Sequence, residues 1–210
     1  SSLCTEGDTE SIEITTEDLQ DIELVVATST DDFGYTCETP AASYIEATDD
    51  IGLQADDEAK KVELPFIFYF YENSYSEIWV CTNGFIAFSA YGNGSSYCPY
   101  LNRPINSTDY GYPKQFISPF WDDLFVDDQS SVRTAHLSDP ERFVVEWHNI
   151  RQYNGSDRWD FEAILYRNGK IQFEYRNNGD SNREKGSSAT IGLEDQKSNY
   201  GYELSYSETV

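Results

Sequence analysis

The segment FEAILYRNGKIQFEY, residues 161–175, alternates apolar and polar side chains on both sides of Asn168-Gly169. That dipeptide accepts positive φ and closes tight hairpins, and period-2 alternation is a strand pattern that a helix cannot satisfy. Phe161, Ala163 and Leu165 with Ile171, Phe173 and Tyr175 are expected to form one inward face, leaving Glu162, Arg167, Lys170 and Glu174 to solvent. The same reading gives strands at 62–71, 76–81, 84–89, 116–121, 131–137, 142–148, 188–194 and 201–206, with further turns at Asn83-Gly84 and Asn178-Gly179. Ten short strands with no long amphipathic helix predict an all-β chain, an antiparallel β-sandwich of jelly-roll-like form. Pro65 and Pro119 are expected at strand starts or edges, since neither can donate to a ladder.

The chain has 210 residues, the length of one domain, and Lys+Arg 14 against Asp+Glu 38 gives 14 − 38 = −24. So acidic a chain is a poor match for nucleic acid or an anionic membrane surface. The longest apolar run, PFIFYF at 65–70, falls far short of the ~20 residues of a membrane span. The chain lacks Met, and no basic segment followed by an apolar one opens it, as expected of an exported product whose signal has been removed. Cys4, Cys37, Cys81 and Cys98 show no CxxC spacing. An even count fits two disulfides in an oxidising compartment, with three connectivities open. The reading leans to Cys81–Cys98 and Cys4–Cys37. Three sequons, at Asn93, Asn106 and Asn154, lie in Gly/Ser/Asn-rich stretches that read as surface loops and glycosylation sites. Together these features point to an extracellular, secreted or cell-surface location.

Residues 1–70 carry 18 acids and 2 bases, two thirds of the excess negative charge. The turn-rich STDDFG near residue 30 divides an N-terminal arm, 1–30, from a sandwich domain, 31–210. The arm contains one strong apolar segment, IELVVATS at 22–29, whose alternation places Ile22, Leu24 and Val26 on one face and Val25 on the other. A helix over TTEDLQDIEL, capped by Thr16, competes with this, but it would last about two turns before the β-branched pair Val25-Val26. An extended arm with one good strand is preferred. Such a strand can complete its own sheet or enter the groove of a neighbour, where main-chain hydrogen bonds give affinity and alternating pockets give register. If that contact is head-to-tail and does not close, it builds an open filament.

The pieces LPFIFYFYENSYSEIWVCTNGFIAF, FISPFWDDL, RFVVEWHNI, FEAILYRNGKIQFEY and SATIGLED occur in an order that resembles secreted β-sandwich modules. Such modules are appended to bacterial subtilisin-like proteases and cell-surface proteins, and are distantly akin to nidogen-type extracellular domains. The resemblance covers about residues 31–206, and its most specific part is the pair NGFIAF and SPFWDDL. It implies a non-catalytic module for adhesion, targeting or assembly. The chain also resembles secreted sandwich subunits that form fibrils by passing an N-terminal strand to the next protomer. The expected function is therefore a self-assembling filament subunit with Ile22, Leu24, Val25 and Val26 as the assembly strand. The alternative is an accessory glycan- or protein-binding module of a secreted hydrolase or surface protein.

Catalytic patterns are lacking: there is no G-x-S-x-G elbow, HExxH helix or Gly-rich phosphate loop. The only histidines are His136 and His148, and His148 reads as a surface residue sharing a strand face with Val144 and Glu146. WDDLFVDD brings Asp122, Asp123, Asp127 and Asp128 close in sequence, and their oxygens suit Ca²⁺, although the fixed loop pattern of calcium hands is absent. A solvated acidic turn without metal is the favoured reading there. Tyr91, Tyr97, Tyr100, Tyr110 and Tyr112 cluster in an insertion at 90–114, which either packs on itself or contacts a sugar or protein partner.

Overall fold

A computed structural model describes residues 33, 35, 43–90, 98–107, 113–176, 181–183, 185–197 and 199–207. Among them run twelve strands and no helix. In chain order these are β1 (Asp49–Asp50), β2 (Ala59–Phe70), β3 (Asn73–Cys81), β4 (Phe85–Ala87), β5 (Phe116–Trp121) and β6 (Leu124–Phe125). The second half holds β7 (Ser131–Ser138), β8 (Glu141–Gln152), β9 (Arg158–Tyr166), β10 (Ile171–Arg176), β11 (Thr190–Glu194) and β12 (Gly201–Tyr206). One sheet has the order β1-β7-β8-β9-β10, with β6 also paired to β8; the other has the order β12-β11-β5-β4-β3-β2. Every pairing is antiparallel, and the two sheets pack face to face as the expected sandwich.

The hairpin of β9 and β10 has the register its sequence predicts: Phe161 opposes Tyr175, Ala163 opposes Phe173, and Leu165 opposes Ile171. All six are buried in the core. They meet Phe66, Phe68 and Phe70 of β2, Ile78 and Val80 of β3, and Ile117 of β5, so alternation on both sheets fills one interior. Two polar groups bind the sheets through this core. The Trp147 indole donates to the Cys81 carbonyl at 2.8 Å, and the Tyr175 hydroxyl donates to the Pro119 carbonyl at 2.7 Å. At the turn before β4, Gly84 has φ 79°, and a Cβ there would lie 2.0 Å from the Phe120 carbonyl oxygen. Only glycine fits that position.

Two expectations need correction. Pro119 lies inside β5, an interior strand between β11 and β4, rather than at a start or an edge. It is tolerated because the register between β5 and β11 shifts between Thr190 and Gly192, a bulge that removes the demand for a proline N–H. Glu162 and Glu174 are fully buried instead of facing solvent, as is Glu146 beside His148. The reason is that the outer faces of both sheets are covered. Segment 98–107 lies over Phe85, Phe116 and Trp121 of the second sheet. There Ile105 and Asn106 donate backbone N–H groups to Glu203 (2.7 Å) and Glu194 (2.6 Å), and Pro99 accepts the Trp121 indole N–H at 2.9 Å. Segment 43–48 covers the first sheet.

Candidate functional site

Across β8, β9 and β10 the same outward position holds glutamate three times: Glu146 opposes Glu162, and Glu162 opposes Glu174. Like charges side by side on an open sheet are destabilising, so such a row needs a cover that satisfies it. Segment 43–48 supplies the cover, giving every second backbone N–H to successive carboxylates. Ser43 donates to Glu174 Oε1 at 3.1 Å, Ile45 to Glu162 Oε1 at 2.9 Å, and Ala47 to Glu146 Oε2 at 3.0 Å. The Tyr44 hydroxyl adds a bond to Glu146 Oε1 at 3.1 Å. Beside this polar row Ala47 packs on Val144 and Ile164, so the segment is held by apolar contact as well.

Burial governs the charges here. It pushes the Glu162 carboxyl up to about 9, with Glu146 and Glu174 adding to the rise and the Ile45 N–H opposing it. Glu162 is therefore protonated at neutral pH. Glu146 is also raised, by burial first, against the stabilising bonds from Tyr44 and Ala47. Arg176 is the local cation: it hydrogen-bonds Glu46, lies 3.5 Å from Glu146 Oε1 and stacks 4.0 Å over the Tyr44 ring. At the end of the row His148 Nδ1 lies 3.0 Å from Asp160 Oδ1 and 3.6 Å from Glu146 Oε1.

A second acidic group forms where the segment before β2 meets the turn after β5. One oxygen each from Asp56, Asp57 and Asp123 come within 4.8 Å of one another. Burial and the other carboxylates raise Asp123 to about 6. Asn83 organises this corner. Its Nδ2 donates to Asp57 (2.8 Å) and to the Cys98 carbonyl (3.1 Å), while its Oδ1 accepts the Leu124 N–H (2.9 Å). The Cys81–Cys98 disulfide, with Cα atoms 5.7 Å apart, fastens the 98–107 segment to β3 beside it.

The structure therefore separates the four carboxylates of WDDLFVDD. Asp122 is buried and accepts the Ser188 hydroxyl at 2.5 Å and the Asp123 N–H at 2.8 Å. Asp127 pairs with Arg158 at 2.7 Å and Arg151 at 3.0 Å, and the Arg158 hydrogen bonds hold its carboxyl well below the usual range. Asp128 is exposed. Of the sequons, Asn106 and Asn154 are exposed on turns with φ 61° and 56°. Of the five loop tyrosines Tyr100 is exposed. Ile22, Leu24, Val25 and Val26, Cys4 and Cys37, Asn93, and Tyr91, Tyr97, Tyr110 and Tyr112 lie outside the described residues. The glutamate row was missed by sequence reasoning, although its signal is visible there: three strands carry Glu at positions the hairpin registers bring side by side.

Among the described residues no helix is long and apolar enough to cross a membrane. Neither a curated protein nor a solved structure matches the chain. Residues 34–210, most of the chain and the whole of the described sandwich except Phe33, match the NIDO-related family. That match and the disulfide are compatible with an extracellular accessory or structural module. The chain belongs to the NIDO-related family.

Proposed function

We propose that this protein is a non-enzymatic extracellular structural subunit that assembles head to tail, the N-terminal strand of one copy adding to the sandwich of the next. The observation that carries this reading is the edge position of β2 among the described strands, taken with the position of Phe33 and Tyr35. Among the described residues β2 ends its sheet and pairs only with β3. Its outward Ile67 and Tyr69 are 47% and 63% exposed, an apolar pair on a very acidic protein. Lys60, Lys61 and Pro65 guard the first half of the strand against added partners, and Phe66–Phe70 itself carries neither a charge nor a proline.

Phe33 and Tyr35 pack against Tyr71, just past the end of β2, where the Tyr35 hydroxyl accepts the Tyr71 N–H at 3.1 Å. Phe33 and Tyr35 thus lie at the C-terminal end of β2. A strand at 22–27 laid back along β2 of the same copy would run parallel to it. Every pairing among the described strands is antiparallel, and a strand from another copy can meet β2 in that orientation.

Light scattering during size-exclusion chromatography tests this on the intact chain and on an Ile67→Lys/Tyr69→Lys variant. The reading requires polymer from the intact chain and monomer from the variant, with unchanged β-rich circular dichroism. Monomer from both would favour the alternative, an accessory glycan- or protein-binding module, for which the exposed neighbours Tyr100 and Leu101 offer contact residues.

A further inference from the structure

We propose that Glu146, His148 and Asp160 form a binding site for a first-row divalent cation of the Zn²⁺ class. Their donor atoms, one imidazole nitrogen and two carboxylate oxygens, gather within 4.8 Å of one another. His148 Nδ1 is shut off from solvent and makes no hydrogen bond, although it lies 3.0 Å from Asp160 Oδ1 and 3.6 Å from Glu146 Oε1. Close approach without hydrogen-bond alignment is how two ligands of one ion stand to each other. Donors at about 2.0–2.2 Å from a metal sit roughly 3.0–3.5 Å apart.

A second observation points the same way. Glu162, fully buried and directly across from Glu146 on the same face, has its Oε2 without any partner. It is the neighbour with an oxygen to give. Buried polar atoms are almost always satisfied, so the orphaned His148 nitrogen asks for a partner that accepts its lone pair, and a cation reaching Glu162 would displace the proton it holds.

The surroundings suit a cation. The carboxylates are already oriented by hydrogen bonds: Glu146 by Tyr44 and Ala47, and Asp160 by the Asn149 N–H at 2.7 Å. Arg176 contributes one positive charge against Glu46, Glu146 and Asp160, so the patch stays negative. The half-buried His148 edge is the way in from solvent. Mixed imidazole and carboxylate donors favour Zn²⁺ over Ca²⁺, which takes oxygen alone. The site does not depend on assembly.

The test uses the full chain, stripped with chelator and titrated with ZnCl₂. Calorimetry reads stoichiometry, and long-range ¹H–¹⁵N spectra read the two imidazoles of the chain, His136 and His148. The expected result is one equivalent bound, with the His148 Nδ1 signal shifted and His136 unmoved. His148→Ala is expected to weaken Zn²⁺ binding at least tenfold, and His136→Ala to leave it unchanged. A His148 signal that does not respond to Zn²⁺ overturns the proposal, whether or not metal binds elsewhere. That spectrum is taken on the unaltered protein, so it decides even if His148→Ala fails to fold.

Discussion

Ser43 and Glu174, 131 positions apart in the chain, are joined by two bonds: the Ser43 backbone N–H and hydroxyl both donate to Glu174 Oε1, at 3.1 and 3.3 Å. This contact is the outermost rung of the glutamate row, and it fixes where the N-terminal segment crosses onto the body. The Tyr44 hydroxyl holds the far rung, Glu146. Removing a donor from a buried carboxylate leaves the acceptor under-satisfied, at a cost of about 1–2 kcal/mol. Tyr44→Phe keeps the ring over Arg176 and is expected to lower stability by that amount in urea denaturation. The denaturant slope should stay the same, because the surface exposed on unfolding does not change.

Asp123 gives a pH test with a definite sign. Its carboxyl is raised from 3.8 to about 6 in the folded chain by burial and by Asp56, Asp57 and Asp122. The folded state therefore holds the proton more tightly. The resulting stability is full below pH 3.8 and is lost as pH rises through about 6. Asp123→Asn should melt above the parent at pH 7.5, and the difference should vanish at pH 4. Differential scanning fluorimetry of the pair at both pH values checks this, and titrations common to both proteins cancel.

Gly84→Ala places a methyl group 2.0 Å from the Phe120 carbonyl oxygen at φ 79°. The blocking atom is backbone, so it cannot swing away. The expected cost is about 2–4 kcal/mol, read by the urea midpoint.

The Cys81–Cys98 bond closes a loop with a sequence separation of 17. For loops of that size chain entropy gives about 3 kcal/mol. Paired Cys81→Ser and Cys98→Ser substitutions are expected to lower unfolding free energy by about that much in urea. The 98–107 segment should become accessible to protease before the sheets do, since it loses its tether to β3.

The sandwich was largely legible because alternation and Asn-Gly turns are local. The β9–β10 register follows from Asn168-Gly169 alone, and the observed strands lie close to the segments their sequence marks out. What alternation could not say is whether an outward face stays outward. Glu162 and Glu174 occupy the positions a solvent-facing residue would, and they are buried only because residues 43–48 return over them from more than a hundred positions upstream. His148 changes character for a different reason: beside the register shift between Trp147 and Ile150 it meets Asp160 of β9 as well as Glu146 of its own strand. WDDLFVDD shows the opposite failure. Its carboxylates are close in sequence but diverge in space, because each is recruited by a different remote partner: Ser188 for Asp122, Asp56 and Asp57 for Asp123, and Arg158 for Asp127. Pro119 was misplaced because a bulge with β11 is not visible in β5 alone.

Electron microscopy of two purified proteins, the intact chain and the same chain lacking residues 1–30, tests assembly through the N-terminal strand. Fibres are expected from the intact chain and none from the truncated one, whose β-rich spectrum should persist because the described body begins beyond the deletion. Separate monomers from both, or fibres from both, would overturn assembly through that strand.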